Sequence, residues 1–217
     1  MNVTEAVAAR RSIRSFLDTP VSDTLLRELL EKSARAPSGG NVQPWQIYVI
    51  NGTRTQDFLT HLQSQKMREQ AAYDIYPKDL PSPYRDSRFK VGEDMYGLLG
   101  IPRENKAARF AHLARNYEFF GAPAAFFCLI DKTMGPPQWS DLGMFLQTFM
   151  LLAQEAGIDT CAQEAWATRP KAVTSFLQTP DNLMLFCGMA IGYRNPEAPV
   201  NTLVSDRMPL ESWATFV

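Results

Sequence analysis

Apolar positions along the chain change period several times, and each change marks an element. Leu25, Leu26, Leu29 and Leu30 share one face of a 3.6-residue period, which predicts a helix from about Thr24 to Arg35. Ser22 or Asp23 is placed to cap it, and Ala36-Pro37 ends it because the residue before a proline is driven out of the helical region. "WQIYVI" (45–50) alternates and is rich in aromatic and β-branched residues, as a strand requires, and the Asn51-Gly52 turn closes it. A second helix is expected over roughly 54–72, carrying Phe58, Leu59, Leu62 and Met67. "APAAFFCLI" (122–130) is a continuous apolar run, the pattern of a strand buried on both faces. "IDTCAQ" and "LMLFCGMAIGY" (183–193) read as two more strands around a short helix that begins with Pro170.

The strongest pattern is "SDLGMFLQTFMLLAQEAG" (140–157), with Ser140 as expected cap and Gly157 as stop. A helix apolar on nearly every side must lie in a large core or between subunits. Helices alternating with about four strands imply a layered α/β or α+β domain. Two segments fall outside that frame. Residues 73–103, within a lid-like excursion over 73–110, mix prolines, tyrosines and charges and read as a surface excursion. The tail 194–217 has no helical period yet carries Leu203, Val204, Met208, Leu210, Trp213 and Phe216, so it is expected to lie along another surface, that of a second copy in a homodimer.

Length and composition narrow the reading. A chain of 217 residues can bury one sizeable core, so one domain over 1–217 is expected. A net charge of −1 supplies no broad basic field, which argues against nucleic acid or an anionic membrane as partner. No apolar run approaches bilayer length, and a cytoplasmic protein is expected. Cys128, Cys161 and Cys187 each sit in an apolar run, as buried thiols do, and with only His61 and His112 to add no metal site is expected.

The familiar phosphate loops and the G-x-S-x-G elbow are missing, so the chain has little side-chain material for acid–base or covalent catalysis. A bound cofactor is the better chemist. Three stretches could hold one. "RRSIRSF" presents Arg10, Arg11, Ser12 and Arg14, whose forked donors match phosphate oxygens, although a solvated basic face would look the same. "APSGGNVQPW" (37–46) joins the first helix to the first strand with an unusual load of hydrogen-bonding groups and two glycines. Turn chemistry explains the glycines and leaves Asn41, Gln43 and Trp45 unexplained. The third is Arg207 in "VSDRMP", by itself an ordinary surface arginine.

Taken in order, "RRSIRSF", "APSGGNVQPWQIYVI", "RNYEFFGAP", the long helix ending "AGID" and "SDRMP" resemble the FMN-dependent nitroreductase family over essentially the whole chain. "KVGEDMYGLLGIPREN" is similar to the branch containing nitrobenzoate and nitrobenzene reductases. The resemblance implies an α+β fold, a central mixed sheet wrapped by helices, and a homodimer with exchanged C-terminal arms. Arg10, Arg11, Ser12 and Arg207 match positions that hold the FMN phosphate, and Arg14 a basic position near the pyrimidine edge of the flavin. Asn41 and Gln43 match ribityl and ring contacts, while Pro37, Ser38 and Gly39 match a loop from the opposite subunit. Gln163 and Glu164, in "AQEAW", match the segment whose backbone amide faces flavin N5. Ala162 and Ala165 stand where many members have proline and glycine, and Ser205 where a second basic residue is frequent.

The implied reaction is ping-pong: NAD(P)H reduces the flavin and leaves, and a small electron-poor acceptor such as a nitroaromatic is then reduced. Tyr84, Tyr96, Phe120 and Trp139, with Phe119, are candidates for the walls of the acceptor pocket, against ordinary core packing for the two phenylalanines. Quinone or enone reduction, reductive dehalogenation and flavin binding without turnover are the alternatives.

Overall fold

The computed structural model describes residues 1–66 and 68–217. Among them four strands, β1 (Gln46–Asn51), β2 (Ala124–Asp131), β3 (Asp159–Gln163) and β4 (Leu183–Gly192), form one sheet in the order β1-β2-β4-β3. All three ladders are antiparallel, and the parallel component of the sheet is an isolated Ser12–Thr160 bridge on the outer side of β3. Each strand coincides with a run marked by the sequence pattern.

Among the described residues seven α-helices surround the sheet: α1 (Val3–Ala9), α2 (Asp23–Ser33), α3 (Thr53–Gln63), α4 (Tyr84–Leu98), α5 (Lys106–Ala114), α6 (Pro136–Glu155) and α7 (Pro170–Leu177). On one face of the sheet, Phe126, Cys128 and Ile130 of β2 pack with Leu26 and Leu29 of α2 and Leu142, Phe145 and Phe149 of α6. On the other, Phe127 and Leu129 pack with Phe58 of α3, Phe119, Phe120 and Trp166. The two layers draw on alternate residues of β2, which is why that strand is apolar without interruption. In β4 a bulge skips Phe186 between the pairings Cys128–Cys187 and Leu129–Leu185. Leu183 and Leu185 therefore face one layer and Cys187, Met189 and Ile191 the other, although all five are odd-numbered. A β-carbon on Gly188 would run into the Trp166 indole, so that position accepts no side chain.

Several boundaries differ from expectation. Ser22 is the cap of α2, its hydroxyl accepting from the Leu25 N–H at 3.1 Å. The second helix stops at Gln63, where the Ser64 hydroxyl donates to the His61 carbonyl, rather than near 72; Met67 lies outside the described residues. Ser140 does not cap the long helix, which starts one turn earlier on Pro136 and Pro137, leaving the Ser140 hydroxyl to donate to the Pro137 carbonyl. Gly157 ends it in the left-handed conformation, with the Ile158 N–H reaching back to the Ala153 carbonyl.

Residues 73–103 are not all irregular, because α4 occupies much of them. It has no buried residue within the chain and no apolar stripe, so its sequence gave no period to read. The seven-residue α1, held by reciprocal bonds between Asn2 and Glu5, also had no expectation attached. The tail is irregular as expected, with short 3₁₀ turns at 199–202 and 210–212, and it leaves Trp213 and Phe216 68% and 88% exposed. Among the described residues no helix is long and apolar enough to cross a membrane.

Candidate functional site

The segment after α1 is extended and is pinned at several points. The Ile13 N–H donates to the Thr160 carbonyl on β3 (3.0 Å), and Ile13 is fully buried. The Phe16 and Leu17 amides donate to the carbonyls of Phe120 and Tyr193. Asn201 fastens the same segment from the tail: its side-chain oxygen accepts from the Arg14 N–H (2.9 Å), and its amide donates to the carbonyls of Ser15 and Asn195. Ile13 being turned into the core, its neighbours Ser12 and Arg14 are turned outward.

That geometry gathers charges from both ends of the chain. Arg10, Arg11, Ser12, Arg14 and Arg207 line one cavity of about 350 Å³, together with Val91 of α4 and Leu203, Val204 and Ser205 of the tail. Among the described residues none of these guanidinium groups forms an ion pair with a carboxylate. Three of them rest on backbone carbonyls instead: Arg11 on Ala8 (2.6 Å), Arg14 on Ser12 (3.1 Å), and Arg207 on Ser205 and Asp206. The Arg10 pKa lies below its ordinary value, first through burial and then through the like charges of Arg207 and Arg11. Clustered cations without counter-charges form a receptor for a multiply charged anion, and forked donors suit a phosphate monoester. The Ser205 hydroxyl, 2.8 Å from the Arg207 guanidinium, orients that group where a second cation would have repelled it.

The 37–43 stretch is elsewhere, and none of its residues lines this cavity. It is a tight loop in which Gly40, Asn41 and Gln43 all have positive φ. The Gln43 N–H donates to the Ser38 hydroxyl (3.0 Å), the Gln43 side chain to the Asn41 carbonyl (3.1 Å), and the Gly39 N–H to Asp141 of α6 (3.2 Å). Pro37, Gly39, Asn41 and Gln43 are exposed and Ser38 is half-buried. Sequence reasoning did not single out Asn201 or Asp141, since a lone polar residue inside an apolar run signals its bonding partners only once the fold is known.

Gln163 and Glu164 lie at the end of β3 and the start of the 3₁₀ turn 164–168. The Gln163 side chain is buried and committed, donating to the Asn116 carbonyl (2.8 Å) and accepting from the Trp166 indole (3.3 Å). Partial desolvation raises the Glu164 carboxyl above its ordinary range.

The four aromatic candidates are not brought together within one chain. Phe120 is 1% exposed and forms part of the core with Phe119, so it does not line an open pocket; the pair sits at positive φ with both rings turned inward. Trp139 packs on the opposite face of the sheet, against Tyr73 (centroids 5.4 Å apart) and Phe186. Tyr84 is exposed at the start of α4, and Tyr96, near its end, lies under the Arg109 guanidinium. Tyr73, missed in the sequence, donates to the Phe186 carbonyl at the bulge. Its phenol pKa is pushed up by burial, then by Cys187 and by Glu164.

Known proteins resemble this chain throughout. The nitroreductase family model matches residues 7–193. A 4-nitrobenzoate reductase of Pseudomonas putida is 38% identical over 207 residues, covering 94% of this chain and 89% of the relative. A nitrobenzene nitroreductase of Ectopseudomonas oleovorans is 32% identical over 99% of this chain and 96% of its own length. Among solved structures, the FMN and NADPH-dependent nitroreductase NfnB from Sphigopyxis sp. strain HMH superposes with a TM-score of 0.95 at 43% identity, covering 100% of this chain and 99% of that one.

Proposed function

The chain belongs to the nitroreductase family, and from that premise we propose that it is an FMN-dependent oxidoreductase, one domain over 1–217, which uses NAD(P)H to reduce nitroaromatic or similar electron-poor acceptors. The observation that carries the reading is the cavity shared by Arg10, Arg11, Ser12 and Arg207, whose unpaired cationic forks fit a phosphate monoester dianion. Arg10, Arg11, Ser12 and Arg207 would hold the FMN phosphate. Arg14, from the same wall, would sit beside the pyrimidine edge of the ring, where its charge favours an electron-rich flavin.

Bound FMN would supply two-electron chemistry between a reduced pyridine nucleotide and the acceptor. The chain binds, orients and excludes water. Asn41 and Gln43 offer amides on an exposed loop, and the Gln163–Glu164 turn presents backbone N–H groups at the end of β3. Tyr84, Tyr96 and Trp139 offer flat faces for a planar acceptor.

We infer a homodimer as the working form. The 37–43 loop stands apart from the arginine cavity, and the protomer leaves Phe110, Leu113, Met144, Leu210, Trp213 and Phe216 exposed. An exchanged tail would cover such residues and let Pro37, Ser38 and Gly39 of one copy meet the cofactor held by the other.

The visible spectrum of the purified protein tests this reading. Oxidised-flavin bands that bleach with NADPH or NADH without oxygen, and return on adding 4-nitrobenzoate, would support cofactor, reaction and order of substrates. A colourless chain that takes up no FMN on titration would end it.

A further inference from the structure

Asp141 is a buried acid on the apolar face of α6. It is 4% exposed, and its neighbours on that face, Leu142 and Phe145, belong to the core. One carboxylate oxygen accepts the Gly39 N–H at 3.2 Å; the other is fully covered and has no partner among the described residues. An unsatisfied, covered carboxylate oxygen is costly, and leucine, nearly the same shape, would remove that cost. What leucine could not do is accept from Gly39. That N–H lies in a loop in which Gly40, Asn41 and Gln43 are left-handed, a conformation that, among the described residues, the remaining bonds of the loop hold from within.

We propose that Asp141 is a positioning residue: it ties the 37–43 loop to α6 and sets the conformation in which the loop receives the cofactor. The proposal rests on the flavin reading above. It gives the acid a role through Gly39, without contact to the reacting atoms. A core residue serving stability alone would not be an acid with one oxygen stranded.

The test compares Asp141→Leu, Asp141→Ala and Asp141→Asn in the full-length protein. Amide exchange at Gly39 is followed in the cofactor-free chain, with the melting temperature and the FMN dissociation constant measured beside it. A hydrogen bond to a charged acceptor is strong enough that its loss should speed Gly39 exchange and weaken FMN binding by about 10-fold or more in Leu and Ala. Asn keeps an oxygen for Gly39 and should stay within about 3-fold on both. The cofactor-free Leu variant should melt no lower than wild type. Gly39 protection in Leu and Ala equal to that of wild type would overturn the proposal, as would an affinity loss matched by a fall in melting temperature or an unfolded Leu variant. If the wild-type protein bound no FMN, the flavin reading would fail, and exchange at Gly39 would still decide whether Asp141 holds the loop.

Discussion

Arg10 and Arg207 come from opposite ends of the chain and face one cavity, and the charge of Arg207 helps hold the Arg10 pKa below its ordinary value. An anion entering that cavity relieves this repulsion as well as pairing with each fork. Arg10→Ala and Arg207→Ala are each expected to weaken FMN binding by about 10- to 100-fold, the range of one charge-assisted contact, with the more exposed Arg207 at the lower end. Riboflavin, which lacks the phosphate, should bind wild type and variants alike. Isothermal titration with both ligands separates a phosphate site from a general loss of fold.

Asn201 ties the tail to the N-terminal segment through two bonds, to the Arg14 N–H and the Ser15 carbonyl, makes a third to Asn195 within the tail, and is 8% exposed. Asn201→Leu would strand the Arg14 N–H, whereas the Ser15 and Asn195 carbonyls keep the N–H groups of Asn195 (3.0 Å) and Ala198 (3.3 Å). A loss of about 1–3 kcal/mol is expected, the cost of one buried group left without a partner. Urea unfolding measures it. The same variant should weaken FMN binding more than stability alone accounts for, because Arg14 and Arg207 both depend on this tie.

The strands and the long helix were legible because burial imposes a period, and β2 and α6 are buried enough to show one. α4 was not, since a helix with no buried face carries no stripe. The arginines were legible as chemistry but not as a site: nothing local in "RRSIRSF" or "VSDRMP" says that Ile13 turns inward, or that Asn201 draws the tail across. Phe120 misled because an aromatic in a core and one in a pocket look the same in sequence. Asp141 stayed invisible because its meaning lies in Gly39, more than a hundred residues away in the chain.

The exposed tail residues yield a prediction for assembly. Trp213 and Phe216 are largely uncovered among the described residues, yet follow a segment that bears a site residue, Arg207. Trp213→Ser combined with Phe216→Ser should shift sedimentation velocity from a dimer toward a monomer as concentration falls. FMN affinity should fall with the dimer if the 37–43 loop acts across the interface. A double variant that remains a dimer would place the interface elsewhere.

His112 supplies a pH dependence. Its ring is 7% exposed, sits edge-on to Tyr96 and beside Phe120, and has an Nε2 with no partner among the described residues. Its pKa is lowered by burial first and then by the charges of Arg115 and Arg14, so the folded chain resists protonating it. The unfolded chain takes the proton near pH 6.5. Above that value both states hold a neutral ring and His112 contributes no slope. As the pH falls below it the unfolded state binds the extra proton, and stability declines until the folded pKa is reached. Carboxylates such as Glu93 and Asp131, whose folded pKa values are lowered, add their own loss at more acidic pH, so the comparison must be a difference. Stability of wild type minus His112→Phe, from urea midpoints between pH 5 and 8, should be level above about pH 6.5 and turn against wild type below it. A difference that is flat throughout would mean that the ring takes up its proton as readily in the folded chain as in the unfolded one.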